Sequence, residues 1–152
     1  MKVVRVDWHP DDARFTVSGG HAGQAITVNA PHEGPATGFS ASELLLAGVG
    51  ACSAWDVVEI LRKSREQVDS LEVTVQGEQD PDPPWPFGRI EVRYVVGGRG
   101  LDREAVDRAV RLSTEKYCSV IATIRGIASV ETVVEVVDLP DIREEEAARI
   151  IR

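Results

Sequence analysis

The amino-acid sequence predicts an α+β protein, in which antiparallel strands and helices occupy separate parts of the chain. Three patterns support this class. Residues 1–29 contain short segments with a period of two, residues 40–65 form a long apolar helical segment, and two more alternating segments precede a second helical region at 101–124. The predicted order is three strands, a helix, two strands, a helix, a strand and a terminal helix, within a single domain covering 1–152.

The N-terminal region reads as a small sheet. Residues 1–29 contain the segments "KVVRVDW", "RFTVSG" and "QAITVNA", with "GGHAG" as a predicted hairpin connection. Apolar and polar side chains alternate most clearly in the first of them. We therefore expect three antiparallel strands.

The central helix is predicted over residues 40–65. Ser40 and Glu43 have the S-x-x-E spacing of a capping box immediately before an apolar run. The first half of the helix is apolar on every side, so protein should surround it. One small sheet covers only one side, and we expect a second copy of the chain to cover the rest, in a symmetric homodimer that wraps two such helices.

The C-terminal part is predicted to contain strands "SLEVTVQGE" and "RIEVRYVVGG", a helix at 101–124 capped by Asp102, and a strand "VETVVEVVD". A terminal helix is predicted at 139–152, with acidic residues in its first turn.

Composition excludes several classes of function. The 152 residues carry a net charge of −8, so the chain lacks the basic surface that binds nucleic acid or an anionic membrane. The first residues lack the apolar core of a signal peptide, and the uncharged run at 44–55 is shorter than the roughly 20 residues of a membrane span. We expect a cytoplasmic protein.

Two cysteines, Cys52 and Cys118, are the main candidates for chemistry. They lie far apart in the sequence, so neither a C-x-x-C redox motif nor a zinc knuckle is present. Both could be small buried hydrophobic residues. The helical glycines Gly48 and Gly50 precede Cys52 and indicate a kink or a close approach by another element. Three dispersed histidines give no spacing that favours a metal site.

If the two thiols meet, the expected chemistry is that of a thiol peroxidase. A thiolate attacks a peroxide and becomes a sulfenic acid, and the second thiol condenses with it to a disulfide. An apolar pocket would admit a peroxide with an apolar tail. Because burial raises the pKa of a thiol, this chemistry calls for a nearby arginine that a carboxylate orients. Lys116, beside Cys118, is either a charge that stabilises thiolate or an ordinary solvated lysine.

Two segments carry a resemblance to a known family. They are E-L-L-L-A followed by C-x-A-x-D-V-V in the central helix, and E-K-Y-C-S-V around Cys118. In this order they resemble the OsmC/Ohr family, named for osmotically inducible protein C and organic hydroperoxide resistance protein. The resemblance runs from about residue 24 to residue 137 and favours the OsmC-like branch.

The resemblance implies an intertwined dimer with active sites at its interface. It also implies that Cys52 is the peroxidatic nucleophile, that Cys118 resolves it, that organic hydroperoxides are substrates, and that a lipoyl-type or small-thiol reductant completes the cycle. The family's supporting glutamate corresponds to Ser42 here, so Glu43, one position later, and Arg14 are the candidate supports.

Two functions from different classes follow. The first is a thiol-dependent peroxidase of the stress response that needs neither metal nor flavin. The second is a non-catalytic binder of apolar small molecules, or a stress protein of the same fold without significant turnover. The paired cysteines favour the first, because a binding protein does not need them.

Overall fold

The computed structural model describes residues 2–9, 14–20, 23–29, 38–126 and 128–138. The chain divides into two compact units, residues 1–45 and 46–152, and each is described by itself. The predicted terminal helix at 139–152 lies outside the described residues.

The first unit contains the predicted N-terminal sheet. Its strands are β1 (Val4–His9), β2 (Arg14–Gly19) and β3 (Gln24–Asn29). They pair in the order β1-β2-β3, and both pairs are antiparallel. The three-stranded antiparallel sheet predicted for residues 1–29 is confirmed.

Helix α1 runs from Ala41 to Lys63 and begins at the predicted capping box. The backbone N–H of Glu43 donates to the Ser40 hydroxyl at 3.2 Å, and the Ser40 N–H donates to the Glu43 carboxylate at 2.7 Å. These reciprocal bonds satisfy two amide groups that a helix start leaves unpaired. Hydrogen bonds from the Ser40 backbone and side chain hold the pKa of Glu43 below its usual value.

The second unit contains a sheet of β4 (Gln67–Gln79), β5 (Phe87–Arg99) and β6 (Ser129–Asp138), in that order. Strands β4 and β5 are antiparallel, as predicted, but β6 is parallel to β5. The expectation of purely antiparallel sheets was therefore wrong for this unit. The helical region after β5 acts as a crossover that returns the chain to the end of the sheet where β5 began, and parallel pairing requires such a connection.

The core of the second unit lies between this sheet and the helices. Alternate residues of β5 are buried, which is the period of two that the sequence predicts for a strand with one covered face. Helix α1 and the helices after β5 bury their apolar stripes against the same face. The fully buried side chains of this core include Val57 and Leu61 of α1, Ile90, Val92, Tyr94 and Val96 of β5, and Val106, Ala109 and Ile121 after β5.

Gly50 accounts for one close approach between α1 and the sheet. A Cβ atom at this position would lie 3.1 Å from a side-chain methyl of Val75 on β4. The neighbouring Gly48 has open space at the corresponding point. The sequence predicts a kink or a close approach by another element at these two glycines, and a close approach is present at Gly50.

The helix predicted at 101–124 is interrupted. It consists of α2 (Arg103–Leu112), a π-helical turn (Ser113–Tyr117) and α3 (Ser119–Ile124). Asp102 caps α2 as predicted, since its carboxylate accepts from the Glu104 N–H at 2.9 Å. Cys118, with φ −69° and ψ 104°, is extended and ends the π-turn. The interruption reorients the chain just where the second cysteine lies.

Helix α1 is long and apolar. Its most apolar 18-residue window has a mean hydropathy of 1.7, so among the described residues it is the one helix whose length and composition would allow it to cross a bilayer. A helix that lies in the core of a soluble protein meets the same criterion.

A substitution at Gly98 tests how closely β5 packs against β4. A Cβ atom here would lie 2.0 Å from the backbone oxygen of Gln67, whereas one at Gly88, on the same strand, would meet only the Asp80 carboxylate at 3.5 Å. We expect Gly98→Ala to lower the free energy of unfolding by about 1–3 kcal/mol because the backbone must move. Gly88→Ala should change it by about 1 kcal/mol at most. Equal denaturant midpoints for the two variants would contradict this packing.

Candidate active site

The fold of the second unit brings Cys52 and Cys118 together. Cys52 lies on α1, and Cys118 lies between the π-turn and α3. Their sulfur atoms and a carboxylate oxygen of Asp56 all lie within 4.8 Å of one another. Both cysteines are free thiols. The two thiols, which are distant in sequence, therefore meet in the folded chain, which is the condition that the peroxidase chemistry requires.

The π-turn positions Cys118. The Cys118 N–H donates to the carbonyl oxygen of Ser113 at 2.9 Å, which closes the wide turn. Cys118 is also the N-cap of α3, where its sulfur accepts from the Ile121 N–H at 3.5 Å. The residue is only 1% exposed. Backbone hydrogen bonds on both sides thus fix the direction in which the second thiol points.

The environment of Cys52 favours its thiolate. Cys52 is half-buried, and burial by itself raises its pKa. The backbone N–H of Val120 and the side chains of Cys118 and Ser119 lower the pKa of Cys52 because they donate hydrogen bonds to its sulfur. The negative charge of Asp56 raises this pKa. The net result is a Cys52 pKa below that of an ordinary thiol. The Ser119 hydroxyl lies 4.0 Å from the Cys52 sulfur.

Cys118 has the opposite tendency. Burial, the largest cause, and the neighbouring Cys52 raise the pKa of Cys118, the Ile121 N–H lowers it, and the net pKa is about 11. At neutral pH, Cys118 is therefore a thiol that donates toward Cys52. The two sulfurs are chemically different: the half-exposed one ionises readily, and the buried one keeps its proton.

A network of buried hydroxyl groups connects α1, β5 and the π-turn near the cysteines, and it was not predicted from the sequence. The Ser53 hydroxyl lies 2.5 Å from the Tyr94 hydroxyl and 2.8 Å from the Ser113 hydroxyl. Ser113 in turn donates to the Asp56 carboxylate at 3.2 Å. Ser53, Tyr94 and Ser113 are fully buried. The sequence feature that could have indicated this network is the polar pair Ser53 and Asp56, which lie three residues apart on one face of an otherwise apolar helix.

This network ties α1 to the start of the π-turn. Ser113 contacts both Ser53 and Asp56 through its hydroxyl, and its carbonyl oxygen accepts from Cys118. Burial raises the pKa of Tyr94, so this hydroxyl stays protonated and can donate to Ser53. The network therefore holds the second thiol at a fixed distance from the first.

The other predicted site residues belong to the first unit or are exposed on the π-turn. Arg14 is the first residue of β2, and Glu43 is in the first turn of α1, where Ser40 engages its carboxylate. Both belong to the first unit, and their proposed support of Cys52 stays a prediction. The Lys116 ammonium lies over the Tyr117 ring, 5.3 Å from its centroid, and both side chains are exposed.

Known proteins share this sequence and fold. The chain is 42% identical to Protein YhfA of Escherichia coli K12 over 98 residues, which cover 64% of this chain and 73% of that protein. A hypothetical protein from Aquifex aeolicus VF5 has a structure with a TM-score of 0.81 and 31% identity, covering 92% of this chain and 98% of its own.

A more distant structure shares the fold alone. The organic hydroperoxide resistance protein OhrB of Bacillus subtilis superposes with a TM-score of 0.61 at 21% identity, over 89% of this chain and 98% of that one. The family described as OsmC-like protein matches residues 34–133, a segment that contains both cysteines and the whole polar network. The chain belongs to the OsmC-like family.

Proposed function

We propose that this protein is a thiol-dependent peroxidase that reduces organic hydroperoxides. The observation that carries the proposal is the pairing of two thiols of opposite character within 4.8 Å. Cys52 is half-exposed with a lowered pKa, and Cys118 is buried with a raised one. This division suits an attacking and a resolving thiol. Membership of a family whose fold is shared with hydroperoxide resistance proteins supports it.

In the first step, the Cys52 thiolate attacks the terminal oxygen of the hydroperoxide. The sulfur–oxygen bond forms as the O–O bond breaks, so the sulfur loses two electrons and the peroxide gains them. The alkoxide leaves and takes a proton from solvent to become an alcohol. Cys52 is then a sulfenic acid.

In the second step, the Cys118 sulfur attacks the sulfur of that sulfenic acid. A disulfide forms, and the departing hydroxide takes the proton that Cys118 held, which gives water. A dithiol of the lipoyl type, or a pair of small thiols, then reduces the disulfide by exchange and is itself oxidised to a disulfide. Each cycle converts one hydroperoxide and one dithiol into an alcohol, water and an oxidised dithiol.

Donor groups supply part of what an arginine would otherwise have to provide. The groups of the second unit that lower the pKa of Cys52 are hydrogen-bond donors from Val120, Cys118 and Ser119. Arg14 completes the proposal as the cation that stabilises the negative charge growing on the leaving oxygen in the transition state, and Glu43 as the carboxylate that orients Arg14. Glu43 would act from its capped position at the start of α1.

The proposal includes a homodimer. Trp55 is 72% exposed, and Ala47 and Ala51 precede it at four-residue intervals on the same exposed face of α1. This stripe contains no charge and lies opposite the face that packs on the sheet. A second copy of the same helix would cover it, and the small alanines would let the two helices approach closely.

The disulfide cycle can be tested by counting thiols. One equivalent of cumene hydroperoxide should remove both thiols of each reduced chain, and a dithiol should restore them. Cys118→Ser should stop at a Cys52 sulfenic acid that a dimedone-type probe captures, because the resolving thiol is missing. Cys52→Ser should keep the Cys118 thiol intact, since that thiol is buried and protonated. Thiol quantification and intact mass measure each outcome.

A wild-type chain that keeps both thiols under this treatment would contradict the peroxidase. It would favour the alternative, an apolar small-molecule binder on the same fold. Ser64→Ala, immediately after the last residue of α1 and twelve positions beyond Cys52 in the sequence, serves as a control and should behave like the wild type.

The pH dependence of alkylation tests the lowered pKa of Cys52. The thiolate is the reactive form, so the rate should rise with pH and level off above the pKa. Its midpoint should lie below that of a short unfolded peptide containing the same cysteine. Ser119→Ala and Cys118→Ala each remove a donor and should move the midpoint up. Mass spectrometry of iodoacetamide-treated protein follows Cys52 specifically.

The same measurement addresses Arg14. Arg14→Gln should raise the midpoint if the guanidinium supports the thiolate, and an unchanged midpoint would remove Arg14 from the site. A midpoint for the wild type equal to that of the peptide would instead contradict the donor arrangement around Cys52.

The dimer can be tested at Trp55. Trp55→Glu places a charge in the proposed interface, where it would be buried without a partner. We expect light scattering to show a dimer for the wild type and a monomer for this variant. Lys63→Glu changes the charge at the exposed C-terminal end of the same helix and should remain dimeric. A monomeric wild type would contradict the proposal.

A further inference from the structure

Three groups that ligate metals converge at one place in the second unit. The sulfurs of Cys52 and Cys118 and a carboxylate oxygen of Asp56 lie within 4.8 Å of one another. Zinc binds thiolate sulfur at about 2.3 Å and carboxylate oxygen at about 2.0–2.2 Å in tetrahedral geometry. Ligand atoms around one zinc ion are therefore somewhat under 4 Å apart. Small side-chain movements would bring these three atoms to that spacing.

The local charges also favour a cation. The Asp56 carboxylate faces the two cysteines and lies within 4.8 Å of both sulfurs. Three acidic groups in a partly buried space repel one another when they are deprotonated. A divalent cation would offset that repulsion and stabilise both thiolates and the carboxylate together. The position of Asp56 beside both sulfurs therefore suits a metal ligand.

The surroundings resemble the outer shell of a metal site. Asp56 accepts a hydrogen bond from Ser113, which orients its carboxylate. The Cys118 sulfur accepts from the Ile121 N–H. Outer hydrogen bonds of this kind hold ligands in place in metal sites. Cys52 and Asp56 are both half-buried, so an ion has a route from solvent to the ligands.

We propose that the reduced protein binds one Zn²⁺ ion per chain through Cys52, Asp56 and Cys118. Binding releases the thiol protons into solvent and forms two zinc–sulfur bonds and one zinc–oxygen bond. Three protein ligands leave a fourth position for water. Metal binding needs only reduced thiols and does not require peroxidase activity. A bound ion would occupy the Cys52 sulfur and block its attack on a peroxide.

Cobalt is the spectroscopic probe for this site. Peroxide-free reduced protein titrated with Co²⁺ should show thiolate-to-metal charge transfer in the near ultraviolet and the intense visible bands of tetrahedral cobalt. Both signals should saturate at one equivalent per chain, and Zn²⁺ should displace them. Competition with a chromophoric chelator gives the zinc affinity.

Isosteric variants identify the ligands. Cys52→Ser and Cys118→Ser should each abolish the charge-transfer band. Asp56→Asn keeps an oxygen to accept from Ser113 but loses the charge, so zinc affinity should fall by about tenfold or more. Glu59→Gln changes another carboxylate on the same helix and should bind like the wild type. Circular dichroism confirms that each variant is folded.

Several results would overturn the proposal. They are the absence of a charge-transfer band in the reduced wild type, an affinity that Asp56→Asn leaves unchanged, or one metal ion per two chains. Failure of the peroxidase would be seen separately, as thiols that survive hydroperoxide in metal-free protein. The two proposals can therefore fail independently.

Discussion

The approach of Cys118 to Cys52 depends on the buried hydrogen bonds of Ser113. Ser113 begins the π-turn, contacts Ser53 and Asp56 on α1, and accepts from the Cys118 N–H. A buried hydroxyl without a partner costs about 1–3 kcal/mol, so these groups stabilise the fold only when α1 and the π-turn are correctly aligned. The same alignment brings the two sulfurs together.

The tuning of the thiols follows from their positions on this framework. The extended backbone at Cys118 starts α3 beside Cys52, and the first residues of α3 then provide the Val120 N–H and the Ser119 hydroxyl. A helix start presents N–H groups that lack partners within the helix. The interruption of the second helix therefore both delivers one thiol and supplies donors that stabilise the other as a thiolate.

Much of this arrangement was accessible from the sequence. Period-two alternation predicted the strands, the Ser40–Glu43 spacing predicted the start of α1, and the cysteine content singled out Cys52 and Cys118 as candidates for chemistry. The π-turn and the Ser53–Tyr94–Ser113 network were not predicted, because they depend on hydrogen bonds between segments that are distant in sequence. The parallel pairing of β6 was missed for a similar reason: alternation predicts a strand but not the direction of its neighbour.

The same limit applies to the metal ligands. Zinc motifs are recognised in a sequence by several ligands that lie a few residues apart. Here only Cys52 and Asp56 are close in sequence, four residues apart on one helix, and the third proposed ligand comes from another segment. Within one cluster, a carboxylate that opposes the thiolate of a peroxidase favours the binding of a dication. A reduced dithiol can therefore respond to two kinds of reagent, because oxidants and thiophilic metals compete for the same sulfur electron pairs.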